Sequence, residues 1–170
     1  QTDRSRLNVI LDRPVPNGKP LTISSDNKVP TSLLNFSMFK APGKYAIDCL
    51  GIILPTSLCS GQIAQMAADR LNQKKIGSMA GISRFTALVH TEGCGASGGT
   101  SEEMYVRTMI GYLTHSITAT AMLLEHGCER THNDFFHQKL IEEGLDPNSF
   151  GWASVQVDGG IEKVLERIES

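Results

Sequence analysis

Tyr45-Ala46-Ile47-Asp48-Cys49-Leu50-Gly51-Ile52-Ile53-Leu54 is a nearly continuous apolar run, stopped by Pro55. A run that does not alternate polar with apolar residues reads as a strand buried on both faces, as in parallel sheets covered by helices. Just beyond it, Ser60 stands where it can cap a helix whose apolar side carries Ile63, Ala67 and Leu71. The unit is strand, turn, helix.

Further along the chain the unit recurs. Residues 82–89 read as a second strand and His90-Thr91-Glu92-Gly93-Cys94-Gly95-Ala96-Ser97-Gly98-Gly99 as a glycine-rich turn. A helix then starts near Ser101, with Thr100 and Glu103 as a capping box and Tyr105, Thr108, Met109 and Tyr112 at helical spacing. A third round has residues 118–124 as strand, Gly127-Cys128-Glu129 as turn, and residues 133–143 as a helix stopped by Gly144. A fourth has residues 152–157 as strand, Gly159-Gly160 as turn, and Ile161, Val164, Leu165 and Ile168 as the stripe of a last helix. Four such units predict an α/β fold of three layers, a mostly parallel sheet of about four or more strands covered by helices.

Toward the amino terminus the pattern stops. Residues 1–44 hold Pro14, Pro16, Pro20, Pro30 and Pro42 and the turn-like Pro16-Asn17-Gly18, which predicts an irregular, proline-rich arm or linker ahead of an α/β domain over residues 45–170. With 40% hydrophobic, 20% charged and 6% aromatic residues and a formal charge of −2, the 170-residue chain has an ordinary globular composition. That charge provides no field for gathering nucleic acid or an anionic membrane, so neither is expected as a partner. No apolar run approaches the length of a membrane span and no secretory signal is visible, so a cytoplasmic location is expected.

The cysteines carry the chemistry. Cys59, Cys94 and Cys128 each follow a predicted strand, at separations of 35 and then 34 positions, about one strand-helix unit each. Ligands in open parallel sheets bind beyond the carboxyl ends of the strands, so the three turns should meet on one rim. Cys49 falls inside the first strand and should be an ordinary buried residue. No Cys-x-x-Cys pair occurs, which argues against a zinc ribbon and leaves a thiol-redox role weak. His90, His115 and His126 stand near strand ends, and His132 and His137 read as solvated on a helix. Thr56-Ser57-Leu58-Cys59-Ser60-Gly61-Gln62 is dense in hydroxyls at a helix start, a cradle for a small anion such as a hydroxy acid.

Four pieces in order, Leu-Pro-Thr-Ser-Leu-Cys-Ser (54–60), His-Thr-Glu-Gly-Cys-Gly (90–95), Arg-Thr-Met-Ile-Gly-Tyr-Leu-Thr-His (107–115) and His-Gly-Cys-Glu (126–129), resemble the altronate dehydratase and galactarate dehydratase family of sugar-acid hydro-lyases, in its central domain. The resemblance implies loss of water from altronate or galactarate to give a 2-keto-3-deoxy acid, with iron(II), manganese(II) or an iron–sulfur cluster as cofactor. Carried over by position, Cys59, Cys94, Cys128 and His90 are the implied metal ligands. His115, Glu129 and Glu92 are the implied acid–base groups, and Thr56, Ser57, Ser60 and Arg107 the implied substrate binders. The partners implied are a small anionic sugar acid, further domains of a longer protein or a partner subunit that completes the site, and a second copy of the chain. Ala41-Pro42-Gly43-Lys44-Tyr45 departs from the family's glycine-arginine-asparagine approach to the first strand. Two alternatives stand beside dehydration: a lyase that eliminates another group, such as sulfite from a sulfonated acid, and a hydroxy-acid-binding module without turnover.

Overall fold

The computed structural model describes residues 38–41, 44–95 and 98–170. The expected proline-rich arm lies largely outside the described residues. Within its last part, β1 (Phe39–Ala41) pairs antiparallel with β2 (Lys44–Ala46).

The long apolar run does not form one strand. After β2 the chain bends at Ile47 to Cys49, and β3 (Leu50–Pro55) begins afresh. Asp48 is the reason. Its carboxylate accepts from the Cys49 backbone N–H (2.8 Å) and the Ser83 hydroxyl (2.6 Å) and pairs with Arg84, contacts that require it at the sheet's lower edge. A charged group cannot continue a strand buried on both faces without losing its water. Cys49 accordingly sits outside the strand and is only partly buried, contrary to expectation.

From β3 onward the strand-helix rhythm holds: α1 (Leu58–Gln73), β4 (Arg84–Ala87), α2 (Thr100–Leu113), β5 (Thr118–Glu125), α3 (Asn133–Glu142), β6 (Gly151–Ser154) and α4 (Ile161–Glu169). The four long-chain strands form one all-parallel sheet in the order β4-β3-β5-β6. Side chains alternate across a strand, and β3 uses both faces. Leu50, Ile52 and Leu54 pack with Val106, Met109, Phe136 and Leu140 from α2 and α3, while Ile53 packs with Ile63, Ala67, Val164 and Leu165 from α1 and α4. This is the expected three-layer α/β architecture. Fully buried Phe136, Leu140 and Leu165 each stabilise it by about 1.5–3 kcal/mol relative to exposure. Among the described residues no helix is long and apolar enough to cross a membrane.

Two helix starts differ from the sequence expectation, and a third, at Asn133 as expected, is capped by a residue read as solvated. Ser57 rather than Ser60 occupies the N-cap of α1, without a side-chain cap bond, and the Ser60 hydroxyl donates back to the Ser57 carbonyl. Gly99 is the N-cap of α2, so Thr100 lies inside the helix and no capping box forms. His132 caps α3, its ring accepting from the Phe135 N–H, so it is more than a solvated surface group. Ile161 is also exposed, leaving Val164 and Leu165 as the buried pair of the α4 stripe.

Topology then selects a rim. The connection after β3 (α1) lies on one face, and those after β4 (α2) and β5 (α3) lie on the other. Neighbouring strands whose connections leave in opposite directions open a crevice at their carboxyl ends. Here β3 stands between two such neighbours, and Cys59, Cys94 and Cys128 belong to the turns that follow β3, β4 and β5.

Candidate functional site

The three turns are laced together below the rim by one buried carboxylate and one carbonyl. Glu129, 3% exposed, accepts five hydrogen bonds: Thr56 Oγ1 (2.9 Å), Ser57 Oγ (3.0 Å) and the His126 N–H (2.8 Å) on Oε1, and the Gly127 (2.6 Å) and Cys128 (2.9 Å) N–H groups on Oε2. Burial pushes its pKa up, but donation from the backbone of its own turn and from Thr56 outweighs this and holds it below the usual carboxylate range. Glu129 is therefore a permanent anion with its lone pairs occupied, an anchor for the β5–α3 turn rather than a group free to exchange protons.

The Thr56 carbonyl is the second knot. It accepts from Tyr105 Oη on α2 (2.8 Å) and from Thr131 Oγ1 (2.9 Å), and Thr131, fully buried, also reaches the Gly93 carbonyl (3.2 Å). Sequence reasoning missed both Tyr105 and Thr131 as parts of the site. A tyrosine on a helical stripe reads as core and a lone threonine after a turn reads as solvated, and only the fold reveals that each closes on another turn. Burial pushes the Tyr105 pKa well above its ordinary value, so its hydroxyl remains a proton donor to Thr56. Tyr105→Phe is expected to cost about 1 kcal/mol in urea unfolding, because the Thr56 carbonyl keeps Thr131 as a donor.

His90 is bracketed by backbone. Its Nε2 lies 2.7 Å from the Pro55 carbonyl and its Nδ1 accepts the Glu92 N–H (3.2 Å), so both ring nitrogens are engaged, and Tyr105 meets the ring edge-on at 5.4 Å. The backbone adds a further tie from the Leu58 N–H to the Glu92 carbonyl (2.9 Å).

Above these ties stand the thiols. Cys59 Sγ and Cys94 Sγ are 3.5 Å apart, and Cys128 Sγ lies 3.4 Å from His126 Nδ1; all three cysteines are free and exposed. The hydrogen bond and charge of Cys59, desolvation, and the nearby charges of Cys128 and Glu129 all raise the Cys94 pKa, which places the three sulfurs in one electrostatic neighbourhood. The ligand atoms of His126, Cys128 and Glu129 also lie within 4.8 Å of one another. Cys59 and Cys94 thus meet across the turns after β3 and β4, while the close partners of Cys128 are His126 and Glu129 of its own turn. A set of imidazole, thiol and carboxylate suits a first-row transition metal without selecting one.

The remaining expected site residues divide. Glu92 is exposed on the rim, its carboxylate met among the described residues by Thr91 Oγ1 at 3.3 Å, and it borders two cavities. One, of about 350 Å³, also has Gly93, Gly95, Ser101 and Tyr105 in its wall; the other, of about 710 Å³, runs between β4 and α2 past Val89, Met104 and Tyr112. Thr56, Ser57 and Ser60 are fully buried with their hydroxyls bonded inside the protein, so the hydroxyl-rich segment is scaffold rather than an open anion cradle. Arg107 is exposed on α2 and is not among the residues lining either cavity. His115 lies just before β5, at the amino-terminal edge of the sheet, with Nδ1 accepting from the Ile117 N–H. The eight residues of β5, at about 3.3 Å each, separate it from the thiol rim. The structure therefore does not bring His115 to Glu92 or Glu129.

Residues 40–170 match the family model described as D-galactarate dehydratase/altronate hydrolase, second domain. No curated protein and no solved structure matches the chain.

Proposed function

From the premise that the chain belongs to the D-galactarate dehydratase/altronate hydrolase family, we propose that it is the domain of a sugar-acid hydro-lyase whose thiol rim holds iron and whose Glu92 moves the proton. The observation that carries this reading is the contact of Cys59 with Cys94, in the turns that leave the carboxyl ends of β3 and β4, with Glu92 exposed in the second of those turns.

Dehydration of a hydroxy acid needs a base for the proton next to the carboxylate, stabilisation of the negative charge that develops there, and a proton for the departing hydroxyl. Iron, held by the three cysteine thiols, would supply the Lewis acidity that steadies the enediolate. Glu92 takes the proton from the carbon next to the carboxylate and passes it to the hydroxyl that leaves, so that water is the sum of what departs. Glu92 suits this work better than Glu129 because its oxygens are not consumed by the fold. Tyr105 and Thr131 keep the turns in register beneath the substrate.

The test is a turnover assay of reduced, iron-loaded protein with altronate, galactarate and a sulfonated hydroxy acid, run beside isothermal titration. Formation of a 2-keto-3-deoxy acid, reduced at least about a hundredfold by Cys94→Ala with Cys128→Ala, is the expected result. Full activity in that double variant, or heat of binding without product, would overturn the assignment.

A further inference from the structure

We infer that Cys59 and Cys94 are a redox pair, which in the folded chain exchanges with a small-molecule disulfide to form a reversible disulfide between the turns that follow β3 and β4. The bond rests on geometry alone. Its consequence, that the oxidised chain cannot hold iron through these two sulfurs, rests on the function proposed above.

Contact and access carry the inference. Cys59 Sγ and Cys94 Sγ are 3.5 Å apart and both residues are exposed, although 35 positions separate them in the chain. A disulfide sets its sulfurs about 2.05 Å apart, so the pair has about 1.5 Å to close, a distance within the sweep of two side chains turning about χ1. The backbone beside them is already joined. Leu58, just before Cys59, donates its N–H to the Glu92 carbonyl (2.9 Å), and Gly93, just before Cys94, lies so close to the other turn that a Cβ there would meet the Thr56 carbonyl oxygen at 2.3 Å. Beyond Cys94 there is room to adjust, since a Cβ on Gly95 would have nothing within 4 Å.

The other two thiols are not placed to compete. Cys128 Sγ has His126 Nδ1 of its own turn at 3.4 Å, and Cys49 stands before β3, at the opposite end of that strand from Cys59. A Cys-x-x-Cys motif brings two thiols together through a two-residue spacer; here the parallel pairing of β3 with β4 does so across the sheet. In the exchange, one cysteine thiolate attacks a sulfur of oxidised glutathione, forming a mixed disulfide and releasing one glutathione. The other then attacks the protein sulfur of that mixed disulfide and releases the second. The two cysteines lose two electrons and two protons, which leave as the thiols of two glutathione molecules.

The test equilibrates the reduced, metal-free chain with mixtures of reduced and oxidised glutathione, alkylates the remaining thiols and maps the peptides by mass. The wild-type chain should give one linked pair, containing Cys59 and Cys94. Cys59→Ser and Cys94→Ser should each abolish it, while Cys49→Ser and Cys128→Ser should keep it. In concentrated urea the equilibrium constant for bridging should fall about a hundredfold, because a flexible loop gives only a millimolar effective concentration whereas the fold holds the sulfurs in contact. The inference is overturned if the folded chain yields no Cys59–Cys94 pair, if the bridge joins other cysteines or two chains, or if urea leaves the constant unchanged. Freed of glutathione under argon, the bridged chain should bind iron(II) at least about tenfold more weakly than the reduced chain, with recovery on reduction by a phosphine. Equal iron affinity with the bridge in place would count against the thiol-held iron of the proposed function alone, and the mapped disulfide would stand.

Discussion

Gly93→Ala is expected to lower the unfolding free energy by about 3–5 kcal/mol. Gly93 has φ +94°, a backbone conformation that side chains oppose, and a Cβ there would meet the Thr56 carbonyl oxygen at 2.3 Å, Ser57 Cα at 2.9 Å and Thr131 Oγ1 at 2.9 Å. None of these is the loose end of a flexible side chain. The carbonyl is the acceptor shared by Tyr105 and Thr131, so making room for a methyl separates the β3 and β4 turns and breaks the hydrogen bonds that join them to the third. Gly95→Ala is the control, since its Cβ would have nothing within 4 Å and its backbone is not in the left-handed region. Urea unfolding should give a much lower midpoint for the first variant and a midpoint close to wild type for the second. Equal midpoints would show that the turns are not packed this closely.

Glu129→Gln is expected to cost about 2–4 kcal/mol at neutral pH. The carboxylate is donated to on both oxygens, and an amide can accept on only one. Whichever way the glutamine turns, its NH2 faces donors: the Gly127 and Cys128 N–H groups on one side, or the His126 N–H and the two hydroxyls on the other. The pH dependence has a definite sign. Because the folded carboxyl has a lowered pKa, its contribution is complete above the unfolded value of about 4.3 and is lost as pH falls through the folded value. Wild-type stability should therefore fall more steeply than that of Glu129→Gln below about pH 4.5. Parallel slopes for the two proteins in acid would remove Glu129 as the anchor of the site.

Much of the fold was legible before the structure. Buried strands with unbroken apolar runs, helical stripes and turn glycines repeat at nearly constant intervals, and that interval alone placed the three cysteines on one rim. The misreadings have local causes. Asp48 is one polar residue in ten, too few to disturb a pattern, yet its ion pair with Arg84 and bond to Ser83 split the run into two strands. Thr100 and Glu103 have the spacing of a capping box, but the positive φ of Gly99 starts the helix one residue earlier in the motif. Glu129, Thr56 and Ser57 have the residue types of a catalytic and binding set. Hydrogen bonds between residues 72 and 73 positions apart, which no local pattern records, convert them into scaffold.

By itself the sequence determined the parallel α/β layering, which follows from short-range periodicity and repeated units, and, through its four ordered motifs, the family to which residues 40–170 belong. Only the tertiary structure decided which neighbouring polar groups remain free. His90 is spent on backbone, His115 is carried to the far edge of the sheet, and His126 and Glu92 are left at the rim. Whether a side chain is spent or available depends on which unpaired donors and acceptors the packed turns bring against it, and those partners come from distant parts of the chain.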